Sequence, residues 1–245
     1  MKDIILLLSY KYKGNQYEIY KNLKKGIKLD KKQIKEIKDG LNKKDINFIS
    51  IIDESFPKEF YEMKECLFGF FYKGNYKLMQ NNSKFYIINE IWDEYTSKII
   101  KNSLNQLVQN SVLITNNYKK TENQFIKLFR TLGGKIIHIA KEGLDTFDFS
   151  EINLENELVI SQYPLNTHPK IDFFKYSNYV SATLSKTLIS FSMKNNSKAN
   201  HLINSFLNIG KDIYCFPGNG IDNENNKLIE SGANMILGVS KVINI

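Results

Sequence analysis

From Lys2 to about Asn42 apolar residues recur at helical spacing, Ile27, Ile34, Ile37 and Leu41 among them, and lysine fills the faces between. This pattern predicts two or three short helices punctuated by Gly14 and Gly26, the last starting at Lys31 behind an Asp30 N-cap. After Lys44 short apolar, β-branched runs alternate with longer amphipathic stretches. The runs predict strands over Phe48 to Ile52, Gly69 to Tyr72, Phe85 to Ile88, Val112 to Thr115, Lys135 to Ile139, Glu157 to Ser161, Thr187 to Phe191, Asp212 to Phe216 and Met235 to Leu237. The stretches Glu94 to Val108, Glu122 to Leu132, Phe173 to Leu184, Lys198 to Leu207 and Asn225 to Ser231 fit a period of 3.6. Strand-helix alternation implies parallel strands with crossover helices on both faces, an α/β, doubly wound, mostly parallel sheet behind a short N-terminal helical region. We divide the chain into a small lysine-rich helical region (1–45), an entry segment (46–82) and a main domain (83–245), with Asn81-Asn82-Ser83 as the link.

Ligands of such open sheets bind beyond the carboxyl ends of the strands, here the loops after Ile88, Thr115, Ile139, Ser161, Phe191 and Phe216. A nucleotide site needs small residues there, so that backbone N–H groups can approach phosphate. Asn89-Glu90-Ile91-Trp92-Asp93-Glu94 is instead bulky and acidic, and there is no dinucleotide fingerprint. His138, His168 and His201 are scattered, no carboxylate pair has acid-base spacing, and Ser161, Ser185 and Ser197 lack a visible base, so neither metal nor hydrolytic chemistry is indicated. His138 reads as a core residue of its strand. Tyr163 and Tyr179 read as exposed aromatics able to stack bases.

The net charge of +8 adds a polyanion reading, because clustered cations bind phosphates by releasing counterions. Residues 1–80 carry 17 basic against 11 acidic residues, whereas 151–245 carry 8 of each. The Lys24, Lys25, Lys28, Lys31, Lys32, Lys35 and Lys38 set leaves two readings open, a phosphate-tracking surface or a solvated face. Cys66 and Cys215 read as reduced thiols of a cytoplasmic protein. The longest apolar run near the start, Ile4 to Leu8, is far below the ~20 residues that span a bilayer, which predicts a protein without a membrane partner.

Four stretches of the C-terminal half carry a family resemblance. Leu158-Val159-Ile160-Ser161-Gln162-Tyr163-Pro164 resembles the hydrophobic strand ending in Ser-Glu-Tyr-Pro of the DNA-processing protein A family (DprA, also called Smf). Phe173-Phe174-Lys175-Tyr176-Ser177-Asn178-Tyr179-Val180, followed by Leu184-Ser185, stands where that family has Phe-Pro-x-Arg-Asn-Arg and then Leu-Ser. Gly210 to Gly218 is similar to its Gly-Arg-x-Val-x-x-x-Pro-Gly segment, and Asn226 to Ala233 to its Asn-x-Leu-Ile-x-x-Gly-Ala ending. Upstream, Phe56-Pro57, Leu67-Phe68, Phe71 to Asn75, Gly133-Gly134 and Gly143-Leu144-Asp145 echo further family elements, so the likeness runs over about residues 48 to 240.

The departures fall on the family's ligand loops. Its Gly-Ser-Arg turn corresponds to about Asn89-Glu90-Ile91, and its Ser-Gly-x-Ala-Arg-Gly-Ile-Asp loop to about Thr115 to Glu122. Its arginines beside Asn178 are Ser177 and Tyr179, and its Ser-Gly-Ser loop is Ser197-Lys198-Ala199.

The resemblance implies a Rossmann-like, non-enzymatic, cytoplasmic protein without a cofactor. It further implies that the protein binds single-stranded DNA in DNA processing, recombination and natural transformation, loads the RecA recombinase, and self-associates as a homodimer through its C-terminal half. The residues it points to for DNA are Lys119, Lys175, Asn178, Lys194 and Lys198. Lysine supplies point charge there, without the planar fork by which arginine grips phosphate. Two alternatives remain from the sequence: a family member kept as an interaction protein without DNA binding, and a nucleotide-handling enzyme on a related fold.

Overall fold

The computed structural model describes residues 1–27, 29–117, 120–220 and 223–243. In chain order the elements are α1 (Lys2–Lys11), α2 (Gln16–Lys25), α3 (Lys31–Lys43), β1 (Asn47–Ser50), β2 (Gly69–Gly74), β3 (Lys84–Asn89), α4 (Glu94–Asn110), β4 (Val112–Thr115), α5 (Lys120–Thr131) and β5 (Lys135–Ile139). There follow β6 (Glu157–Ser161), α6 (Ile171–Leu184), β7 (Thr187–Ser192), α7 (Asn200–Leu207), β8 (Ile213–Cys215), α8 (Glu224–Glu230), β9 (Asn234–Met235) and α9 (Ser240–Ile243). The chain divides into two compact units, one of Met1–Gln80 with Ala140–Phe173, the other of Asn81–Ile139 with Phe174–Ile245.

In the first unit, Asp30 caps α3 as its position predicts, its carboxylate accepting from the backbone N–H groups of Lys32 and Gln33 at 3.0 and 3.2 Å. Leu6 and Leu7 of α1 and Ile34, Ile37 and Leu41 of α3 gather on Phe71 and Val159 in one apolar cluster. Phe71 belongs to β2, which pairs antiparallel with β1 on one side and β6 on the other. Within this unit the three strands therefore form an antiparallel set.

In the second unit the strand order is β5-β4-β3-β7-β8-β9, and the registered pairs are all parallel. The chain lays down β3, β4 and β5 outward in one direction, then returns to the other side of β3 for β7, β8 and β9, which is the doubly wound topology expected of the alternation. Phe85 and Ile87 of β3 join Leu113, Ile136, Ile189 and Phe191 on one face, covered by Ile100, Leu104 and Leu107 of α4 and Phe125, Ile126 and Phe129 of α5. Tyr86, pointing the opposite way in the strand, meets Phe206 of α7 at 6.3 Å between ring centroids. Each fully buried phenylalanine contributes about 2–3 kcal/mol, so this double-sided burial, more than helix propensity, holds the layers together. Among the described residues no helix is long and apolar enough to cross a membrane.

Candidate functional site

The topology reverses between β3 and β7, and the crevice outside the carboxyl ends of those two strands is where an open α/β sheet places its ligand. A register shift between Ile88 and Asn89 frees the last residue of β3 to turn toward β7. Three side chains then tie the two strand ends together. The Ser192 hydroxyl donates to Asn89 Oδ1 at 2.7 Å and accepts from the backbone N–H of Ile91 at 3.0 Å. Glu90, buried to 4% exposure, accepts from the backbone N–H of Lys194 at 2.8 Å through Oε2 and from the Ser197 hydroxyl at 2.7 Å through Oε1. Burying a carboxylate costs several kcal/mol unless donors converge on it, and here a backbone and a hydroxyl donor do so. Asp93, the next acid in the loop, faces out and caps α4 through Thr96 N at 2.6 Å.

On the other side of β3 a second buried network sits at the end of β4. Tyr86 Oη donates to Asn116 Oδ1 at 2.7 Å, and Asn116 Nδ2 donates to Asn178 Oδ1 at 2.7 Å. Glu122 Oε2 lies 3.4 Å from the same phenol. Burial first, and then the Glu122 carboxylate, push the Tyr86 phenol well above its ordinary value, so it stays protonated and donates. Asn178, expected at the ligand surface, is thus a buried residue that ties α6 to the loop after β4.

The lysines fall otherwise. Lys175, on α6 one turn before Asn178, is exposed, as are Lys194 and Lys198 in the loop after β7. That loop brings Lys194 and Lys198 to opposite ends of the Glu90 contacts, because Lys194 supplies its N–H and Lys198 follows Ser197. Lys119 lies outside the described residues. His138 is buried, as its strand position predicts.

Tyr163 does not fit its expectation. It is 3% exposed and stacks on Phe173 at 3.9 Å between centroids, because the Ser161 hydroxyl accepts from Tyr163 N at 3.0 Å and folds the turn inward. Desolvation raises its phenol above the ordinary value. Tyr179 is half-buried, with its ring edge-on to Tyr176 at 6.4 Å. Neither tyrosine is an open stacking platform. In the sequence Glu90 reads only as an obstacle to phosphate and Asn116 as one loop residue among others; the signal for both is a polar side chain close after a central strand.

The loop after β8 is organised differently. Asn226, first residue of the Asn-x-Leu-Ile stretch, accepts from Gly218 N at 2.8 Å and donates back toward the Gly218 and Gly220 carbonyls. A Cβ on Gly218 would collide with the Asn223 side chain, so the Pro-Gly and Asn-x-Leu-Ile motifs are two halves of one interlocked turn. Asn225, fully buried, donates to the Ser190 and Phe216 carbonyls at 3.1 and 2.9 Å and accepts from the Ser190 hydroxyl at 2.6 Å. Lys211, at the arginine position of the Gly-Arg motif, donates to the carbonyls of Ala182, Thr183 and Ser185 and so caps the end of α6 with a positive charge.

Comparisons with known proteins agree with this architecture. The family model of DNA recombination-mediator protein A matches residues 134–245. DNA processing protein DprA of Streptococcus pneumoniae (strain ATCC BAA-255 / R6) is 22% identical over 204 residues, covering 79% of this chain and 72% of that protein. The X-ray structure of S. pneumoniae DprA superimposes with a TM-score of 0.73 at 20% identity, covering 93% of this chain and 80% of that one. A Helicobacter pylori DprA structure, described for its single-stranded DNA binding mode, gives 0.68 at 20% identity over 81% and 94% of the two chains. At these identities the structural likeness is one of fold. With the interlocked turn after β8 and the family-model match over residues 134–245, the C-terminal segment of the chain is similar to the DNA-processing protein A family.

Proposed function

We propose that this protein acts in DNA processing by holding single-stranded DNA along the carboxyl ends of β3, β4 and β7, without catalysing a reaction on it. The observation that carries the reading is the presence of exposed Lys194 and Lys198 on the loop that closes the topological switch point, in a chain whose residues 134–245 match this family's model. Lys175 adds charge from α6, and Lys119 joins the set on its sequence position. Asn178 acts indirectly, by holding the loop after β4 through Asn116. The proposal extends to a RecA recombinase partner, a cytoplasmic location and a homodimer formed through the C-terminal half. For the last, the exposed Met235 and Leu237 at the β9 edge offer apolar surface.

Fluorescence anisotropy of a labelled dT oligonucleotide across a salt series tests the DNA reading. Binding should weaken steeply with salt, and a Lys175→Ala, Lys194→Ala, Lys198→Ala triple variant should lower the slope of log K against log salt by about 2, each phosphate contact on a single strand contributing about 0.7. Absence of binding at low salt, or equal affinity for duplex, refutes it. A second reading, an interaction protein without DNA binding, is favoured by one feature, the Glu90 carboxylate lying across the switch point. It predicts RecA or self-association with no response to the oligonucleotide.

A further inference from the structure

Two donors converge at the switch point, the backbone N–H of the second residue beyond β7 and the hydroxyl of Ser197, three residues ahead of α7. Such a pair, at the carboxyl end of a parallel strand and before a helix, is what an oxyanion of a phosphate would take up. Here both donors are satisfied by Glu90, one oxygen to each. The loop that presents them is held from several sides. Asn196 adopts a positive φ of 55° that asparagine tolerates, Met193 N donates to the side chain of Asn223 at 3.4 Å, and Ala199 N donates to Ser197 Oγ at 2.9 Å. Next to the carboxylate, the buried Nδ2 of Asn89 has no acceptor among the described residues, a further donor at the same strand end.

We propose that Glu90 is a built-in anion occupying a phosphate seat, and that it sets specificity by shutting the β3–β7 crevice to phosphate and leaving DNA to the outer lysines. The proposal rests on the DNA reading for what the outer lysines hold, but its central claim, an anion seat filled by the chain itself, stands on the Glu90 contacts. A phosphate brought to the same donors must displace a carboxylate that is buried, pre-positioned and of like charge. Neutralising that carboxylate without changing its shape uncovers the seat.

The test uses the full chain, its Glu90→Gln variant and a Lys194→Ala, Lys198→Ala variant, with a dT oligonucleotide and inorganic pyrophosphate as probes. In the Lys194→Ala, Lys198→Ala variant, which lacks the outer charges but keeps Glu90, pyrophosphate should leave the backbone amide signal of residue 194 unmoved in proton-nitrogen spectra. The Glu90→Gln variant should bind the oligonucleotide about tenfold more tightly at low salt, with the salt slope steeper by about 0.7 for one added phosphate contact. In that variant pyrophosphate should compete and move the Lys194 amide. Unchanged or weaker binding by a variant with native circular dichroism and melting overturns the proposal. So does a residue-194 amide that responds to pyrophosphate in the Lys194→Ala, Lys198→Ala variant, a measurement that decides the matter alone if Glu90→Gln does not fold. A native chain that ignores the oligonucleotide while Glu90→Gln binds it refutes the DNA reading and supports the filled seat. Native binding lost in the lysine variant but indifferent to Glu90→Gln does the reverse.

Discussion

The loop after β8 and the loops after β3 and β7 leave neighbouring strands of one parallel sheet, yet they have kept different things. After β8 the residues that resemble the family's are present and each has a structural partner: Gly218 makes room for Asn223, Asn226 closes the turn on Gly218, and Asn225 donates to the carbonyls of Ser190 and Phe216. After β3 and β7 the small and arginine residues of the family are replaced, and the space is taken by the chain's own polar groups, Asn89 on Ser192 and Glu90 on Lys194 and Ser197. A glycine that sits against a side chain cannot change without moving that side chain. A glycine that admits a ligand can change whenever an internal group satisfies the donors the ligand left. The family likeness is therefore strongest where it specifies the fold, and the electrostatics of the crevice have been rewritten: a phosphate within about 4 Å of a buried carboxylate is disfavoured by ~4 kcal/mol at an effective dielectric of ~20.

The sharpest way to break this comparison is Asn225→Ala. It removes the side-chain donor to the Phe216 carbonyl, the second donor to the Ser190 carbonyl, which keeps the Phe216 N–H at 3.0 Å, and the acceptor of the buried Ser190 hydroxyl, and should cost about 3 kcal/mol and lower the melting temperature by roughly 6–12 °C, read by circular dichroism. Alkylation kinetics give a second readout. Burial pushes the Cys215 thiol up to about 12, so native labelling at neutral pH is slow and should accelerate in this variant. Gly218→Ala comes next, at about 2 kcal/mol by urea melt, because the added methyl must displace the Asn223 side chain. In the crevice, Asn178→Ala leaves Asn116 Nδ2 without this acceptor and should cost about 1–2 kcal/mol, whereas Lys175→Ala on the same helix should cost less than about 0.5 kcal/mol. Equal costs for Asn178 and Lys175 would mean that the Asn116 contact contributes nothing.

A small, pH-dependent effect comes from a turn outside these loops and provides the baseline. Burial raises the Asp53 carboxyl, but the Ser50 backbone N–H and hydroxyl, with Lys2, outweigh it and hold the group below its usual value. A depressed folded value stabilises above the unfolded pKa, and that contribution disappears as pH falls through the folded one. Asp53→Asn should therefore lose less than about 1 kcal/mol at pH 7, the partly exposed Lys2 pair being screened, and its deficit against the native chain should close below about pH 4 in urea melts.

Much of the secondary structure was legible. The predicted strands at Val112–Thr115, Lys135–Ile139 and Glu157–Ser161 coincide with β4, β5 and β6, and the Asp30 cap is where its residue type places it. Short β-branched runs and capping residues act through local sterics and nearest hydrogen bonds, which a linear reading captures. The same reading made Tyr163 exposed, since nothing in the order of residues announces that Phe173 comes to lie on its ring at 3.9 Å. Nor does the order of residues announce the Asn116 partner of Asn178, 62 positions away.

By itself, then, the sequence determined the doubly wound alternation, the caps and the interlocked turn motifs, because these depend on periodicity and on residue types that a given backbone conformation requires. Tertiary structure alone decided that Glu90 reaches Lys194 and Ser197, 104 and 107 residues away, and that it fills the switch point as well as barring it. The sign of a charge is written in the sequence, but the donors that meet it are chosen by which strands the fold lays side by side.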